Sequence, residues 1–78
     1  MAATEWTEVE SSNIDRVGWT SPNALYIKFN NGSIYEYKSD DNLLIHNYYT
    51  KLLAAESVGG YFNSVIRKDK DLKVLKIW

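Results

Sequence analysis

Four groups of residues in this chain carry side chains that can do chemistry. Ser11, Ser12 and Asn13 stand in a row. They offer two hydroxyls, an amide and turn-forming backbone N–H groups, a set that suits phosphate. The same three residues also suit a turn that satisfies its own backbone. Asn63 and Arg67 lie at i, i+4, so on a helix both point the same way. Arg67 is suited to a bidentate clamp on phosphate, or to pairing with Asp15, Asp69 or a C-terminal carbonyl. Tyr35 and Tyr37 form a Tyr-x-Tyr pair, either a platform for a base or part of the core. Trp19 is a further ring on which a base can stack.

Other chemistry finds less support. His46 stands near Asp40 and Asp41 with no second strong ligand, so no metal site is expected. A Ser-His-Asp set can be written from Ser11, His46 and Asp41, but no nucleophile elbow or oxyanion motif accompanies it. Gly59-Gly60 is not a phosphate loop and reads as a helix stop, with either glycine able to take a left-handed conformation. The expectation is a non-catalytic protein with no cofactor.

These side chains must be positioned by a chain of 78 residues, 45% hydrophobic and 14% aromatic, with no cysteine. One domain over residues 6–78 is expected, with residues 1–5 a loose N-terminus. A chain this small is marginally stable, and association would add burial. A homo-oligomer therefore fits, with Trp78 packing on the sheet or on another copy. The net charge of −1 argues against broad capture of duplex nucleic acid and allows a pocket for one phosphate. No signal peptide or transmembrane run is seen, and with no cysteine this suggests a cytoplasmic protein that avoids membranes.

The periodicity predicts a small α+β fold: an antiparallel meander with one longer and one shorter helix packed on one face. A short strand is expected around Trp6 to Glu10, a turn at Ser21-Pro22-Asn23, and a hairpin over Leu25–Tyr37. Leu44, Tyr48, Leu52 and Ala55 form a helical stripe widened by Ile45, Tyr49 and Leu53, capped by Ser39, Asp40 or Asp41. A shorter helix should turn Phe62, Val65 and Ile66 inward. A final strand is read in "DKDLKVLKIW".

The hairpin turn decides where the two tyrosines point. A two-residue Asn31-Gly32 turn would put Glu36 and Lys38 on the face of Leu25, Ile27 and Phe29. A three-residue Asn30-Asn31-Gly32 loop with a glycine bulge reverses the parity. Leu25, Ile27, Phe29, Tyr35 and Tyr37 then share the inner face, and Tyr26, Lys28, Ile34 and Glu36 the outer. Burying Glu36 unpaired costs several kcal/mol, which favours the three-residue loop and makes Tyr35 and Tyr37 core rings with outward hydroxyls.

The segments "VESSNIDRVGW", "LYIKFNNGSIYEY" and "LLAAESVGGYFNSVIR", taken in order from about Val9 to Arg67, resemble the KTSC domain. That family is named after the C-terminus of some lysyl-tRNA synthetases and includes small free-standing proteins of bacteria and phages. Its pattern falls here on Ser11-Ser12, on Tyr35-x-Tyr37, and on Tyr61-Phe62-Asn63 with Ile66-Arg67. The chain departs from it with "KSDDNLL" where Val-Pro often follows the tyrosines, and with Trp19 where tyrosine is usual. The resemblance implies the α+β fold and suggests RNA binding. The leading expectation is recognition of single-stranded RNA or a nucleotide, phosphate held by Arg67, Asn63, Ser11 and Ser12, and a base stacked on a tyrosine or Trp19. The phage members of the family imply a second, a sponge that sequesters a cyclic or other nucleotide immune signal. A third is a protein–protein module using Tyr26, Ile34 and Trp78.

Overall fold

The computed structural model describes residues 5–20 and 24–78. The first four residues and the expected turn at residues 21–23 lie outside that range. Five strands, β1 (Glu5–Glu8), β2 (Ile14–Thr20), β3 (Ala24–Phe29), β4 (Ile34–Lys38) and β5 (Lys73–Lys76), form one antiparallel sheet in sequence order. Glu5, expected in the loose terminus, pairs with Trp19 in β1, and that strand stops at Glu8 short of Glu10. Between β4 and β5 lie helix α1 (Asn42–Ala54) and helix α2 (Val58–Tyr61), which runs on into a π-helical turn over Phe62–Ile66. The helices pack on one face of the meander, as the periodicity predicts.

The hairpin adopts the three-residue loop. Leu25 pairs with Tyr37, Ile27 with Tyr35 and Tyr26 with Glu36. Gly32 carries the only positive φ among the described residues, +92°, which a side chain would oppose. Leu25, Ile27 and Tyr37 are buried against the helices. Glu36 stays on the far face, where its carboxylate accepts a 2.6 Å hydrogen bond from the Tyr26 hydroxyl. A bulge between Ile14 and Arg16 shifts the β2 register. Strict alternation would send Ile14 and Val17 to opposite faces; the extra residue lets both be buried.

Asp41 caps α1, its Oδ1 accepting from the N–H groups of Leu43 and Leu44 at 3.0 and 3.2 Å. Ile45 and Leu52 are fully buried from this helix, Leu44, Tyr48 and Tyr49 flank them, and Leu53 is largely exposed. The helix ends at Ala54 with Ala55 extended, so the glycines do not stop it. Gly59 and Gly60 instead lie inside α2, with no left-handed backbone. Val65, expected to turn inward, is exposed while Val58, Phe62 and Ile66 are buried. The wider turn explains this. Arg67 N–H donates to Phe62 O at 2.8 Å, an i to i+5 bond that underwinds the helix. A stripe spaced by four residues then stays on the sheet and Val65 rotates away.

β5 is present as read, anchored by buried Leu72 before it. Main-chain bonds also join Ile77 and Trp78 to Ile34. The Trp78 ring does not pack on the sheet; that residue is 78% exposed. No helix among the described residues is long and apolar enough to cross a membrane.

Candidate functional site

The segment between β1 and β2 holds the first candidates. Ser11 forms the self-satisfied turn: its hydroxyl donates to Asn13 Oδ1 at 3.0 Å and accepts weakly from the N–H groups of Asn13 and Ile14, both at 3.4 Å. The hairpin loop clamps the segment from the other side. Asn30 N–H donates to Asn13 O at 2.9 Å, and Asn30 Nδ2 donates to Ser12 O at 3.0 Å. No sequence signal singled out Asn30, because its partners are remote in the chain.

Gly59 lets this turn meet α2. A Cβ at position 59 would lie 2.6 Å from Asn13 Oδ1 and 3.0 Å from Ser11 Oγ. Only a glycine admits that approach without displacing a side chain. Ser57 caps α2, its Oγ accepting from Gly60 N–H at 3.1 Å. The result is a cleft of about 350 Å³ lined by Glu10, Ser11, Ser12, Asn13, Glu56, Ser57, the two glycines and Asn63. Its lining carries two carboxylates and no cation. Among the described residues, the Ser12 hydroxyl and Asn13 Nδ2 have no hydrogen-bond partner.

Asn63 connects this cleft to Arg67. The Arg67 guanidinium donates to Asn63 Oδ1 at a long 3.5 Å, and both residues are exposed. No carboxylate among the described residues lies within ion-pair reach of Arg67. Asp15 is taken by Arg16 at 3.2 Å, and Asp69 accepts from the Tyr48 hydroxyl at 2.5 Å. Of the two tyrosines, Tyr37 is the one that feels this cation. The Tyr37 ring packs on Phe62 and the half-buried Tyr35 ring on Phe29. Burial, and then the neighbouring Tyr35, push the Tyr37 phenol up to about 12, while the Arg67 charge pulls the other way. Tyr37 is a core ring and Tyr35 packs half-buried against the core, and the charge of Arg67 is felt at Tyr37.

Trp19 is not part of this cluster. Its ring stacks on Tyr49 at 6.2 Å and meets the edge of His46 at 5.3 Å, under α1. It lies five residue steps from Ile14, about 17 Å along β2. Its Nε1–H is buried with no acceptor among the described residues. The set of Ser11, His46 and Asp41 is likewise dispersed: Ser11 on Asn13, His46 beside Trp19, Asp41 on the α1 cap. No cluster of three metal-ligating side chains occurs among the described residues.

Sequence and structure comparisons give one consistent family. The family model of the KTSC domain matches residues 10–69. The crystal structure of a KTSC domain protein from Yersinia pestis superposes with a TM-score of 0.78 at 29% identity, covering 97% of this chain and 100% of that one. No curated protein matches the sequence.

Proposed function

Because this chain belongs to the KTSC domain family, we propose that it is a non-catalytic module binding one nucleotide unit, either free or within single-stranded RNA. The observation that carries the reading is Asn63, which lines the polar cleft and holds the otherwise unpaired Arg67. The phosphate belongs at Arg67 and Asn63. Glu10 and Glu56 repel an anion among the serines, so Ser12 and Asn13 take the sugar and base edge. The half-buried Tyr35 is left to stack the base, since Tyr37 is buried and Trp19 lies under α1. Such ligands put the protein in the cytoplasm.

The cleft volume favours a compact ligand, and so a second form of the reading: sequestration of a small nucleotide signal. Calorimetric titration with mononucleotides, cyclic dinucleotides and short RNAs separates the two. On single-stranded RNA a single-phosphate contact gives a log–log salt slope of about −0.7. Affinity growing with RNA length supports the RNA form, and preference for one small nucleotide the sequestering form. Binding of none of these probes rejects both.

A further inference from the structure

The last residues of the chain carry features that the serine-lined cleft does not use. Trp78 is 78% exposed, the most exposed of the large apolar side chains described. With Lys76 and the hairpin-loop residues Asn31, Gly32 and Ser33 it lines a second cleft of about 290 Å³. Among the described residues, no carboxylate lies within ion-pair reach of Lys76. The charge of this end is lopsided. Residues 67–78 hold five of the nine lysines and arginines and two of the ten acids, so they are positive in a chain of net charge −1. β4 leads from the phosphate end to this second cleft. Tyr37, which feels the Arg67 charge, and Tyr35 lie two residues apart and so share one face of the strand. Lys76 pairs directly across from Tyr35, and Ser33 lies two residues further on.

We propose that this cleft is a second nucleotide subsite, and that the ligand is a single-stranded nucleic acid running from Arg67 to Trp78. The inference rests on the reading that Arg67 and Asn63 hold a phosphate. The path offers in turn a cation at Arg67, a half-buried ring at Tyr35, a cation at Lys76 and an exposed ring at Trp78. Cations that follow the backbone, with rings on which successive bases stack, are what a single strand requires. Trp78 stacks a base, which covers apolar surface that the fold leaves in water, and Lys76 holds a phosphate. The opposite direction is closed to a strand. Beyond Asn63 the first cleft carries Glu10 and Glu56, which repel a second phosphate. Lys76 and Trp78 also lie outside residues 10–69, so the family match carries no information about them.

The test titrates the full chain with uridine monophosphate and with oligouridylate and oligothymidylate of about eight nucleotides. The oligouridylate should bind at least about tenfold more tightly than the mononucleotide. Trp78→Ala should weaken the oligonucleotide about fivefold or more, and Lys76→Ala should make its log–log salt slope shallower by about 0.7. Neither change should alter mononucleotide affinity, and circular dichroism should show both variants folded. The two oligonucleotides tell ribose from deoxyribose as the strand recognised. An oligonucleotide bound no more tightly than the mononucleotide, or untouched by Trp78→Ala, overturns the subsite and leaves the Arg67 reading standing. Oligonucleotide binding lost in Trp78→Ala but kept in Arg67→Ala overturns the Arg67 reading and with it the path proposed. Binding of no probe overturns both. Self-association abolished by Trp78→Ala, with no oligonucleotide bound, gives the ring to a second copy instead.

Discussion

The two ends of β2 join the sheet to the helices by opposite means. At one end Trp19 lies against Tyr49 and His46, and the Thr7 and Tyr49 hydroxyls are 3.0 Å apart. At the other, Ser11 and Asn13 press on Gly59, where a single added carbon would stand 2.6 Å from an oxygen. Ring packing is weakly directional and accommodates small shifts. Hydrogen-bonded polar groups against bare backbone are not so forgiving. The difference teaches that polarity at the second end is held in place by three separate segments, which is what a preformed binding surface needs. The aromatic end has the composition of a base platform and the surroundings of a helix anchor.

The severest test of this contrast lies beneath the polar end. Phe62 is buried against Phe29 and Tyr37, and it starts the π turn that carries Asn63 and Arg67. Phe62→Ala should cost about 3–5 kcal/mol, comparable to the whole stability that a core of this size supplies. Urea titration followed by circular dichroism should show little folded protein. A loss below about 1 kcal/mol would mean that the π turn is not anchored through this ring.

Gly59→Ala comes next, at about 1–3 kcal/mol from overpacking. That lowers Tm by about 4–8 °C per kcal/mol in a domain this size. Trp19→Phe is the matched probe at the aromatic end. Its Nε1–H has no acceptor among the described residues, so the change forfeits ring area and no hydrogen bond. It should cost less than Gly59→Ala and leave nucleotide affinity unchanged. A larger cost at Trp19 reverses the ranking of the two ends, and lost affinity makes that ring part of the site.

A smaller effect is graded by pH. Tyr48 and Tyr26 are both pushed up from 10.0 to about 12, first by burial and then by hydrogen bonds to Asp69 and Glu36. The folded state thus binds these protons more tightly than the unfolded chain does. The resulting stability is fully present below pH 10 and is lost as pH rises from about 10 to about 12. Urea midpoints should be flat near neutrality and fall above pH 10. Tyr48→Phe, which cannot ionise, should make that fall shallower. An unchanged slope would mean that the Tyr48–Asp69 tie between α1 and the segment after the π turn is not formed in solution.

What the sequence discloses follows the range of the interaction. The hairpin register is legible because one misplaced carboxylate, Glu36, decides it, and the α1 cap because Asp41 acts on N–H groups two and three residues away. Gly59 is misread because Gly-Gly after a helix is locally a stop, and its real partner is the remote Ser11–Asn13 turn. Val65 is misread because Phe62, Val65 and Ile66 fit an α-helical stripe, and no local pattern announces an i to i+5 bond. Ser11, Ser12, Asn13 and Asn63 are brought to one cleft as their types suggest. Trp19 has the same aromatic chemistry as a stacking residue, and only tertiary position separates the two roles.

The mildest substitution for the fold should be the strongest for the ligand. Arg67 is exposed, makes one long bond to Asn63, and has no carboxylate partner among the described residues. Arg67→Ala should therefore change stability by no more than about 0.5 kcal/mol. Loss of a charge-assisted phosphate contact should weaken nucleotide binding about tenfold or more. Arg67→Lys keeps the charge but not the planar fork, so an intermediate affinity would assign part of the effect to bidentate geometry. A second readout needs no ligand. The Arg67 charge pulls the Tyr37 phenol down, so its removal should shift Tyr37 ionisation to higher pH in an NMR titration of ring-labelled tyrosine. If Tyr37 moves and affinity does not, the guanidinium sits where the structure has it and the phosphate binds elsewhere. If the fold collapses instead, Arg67 is a structural residue and the polar end has no free cation to offer.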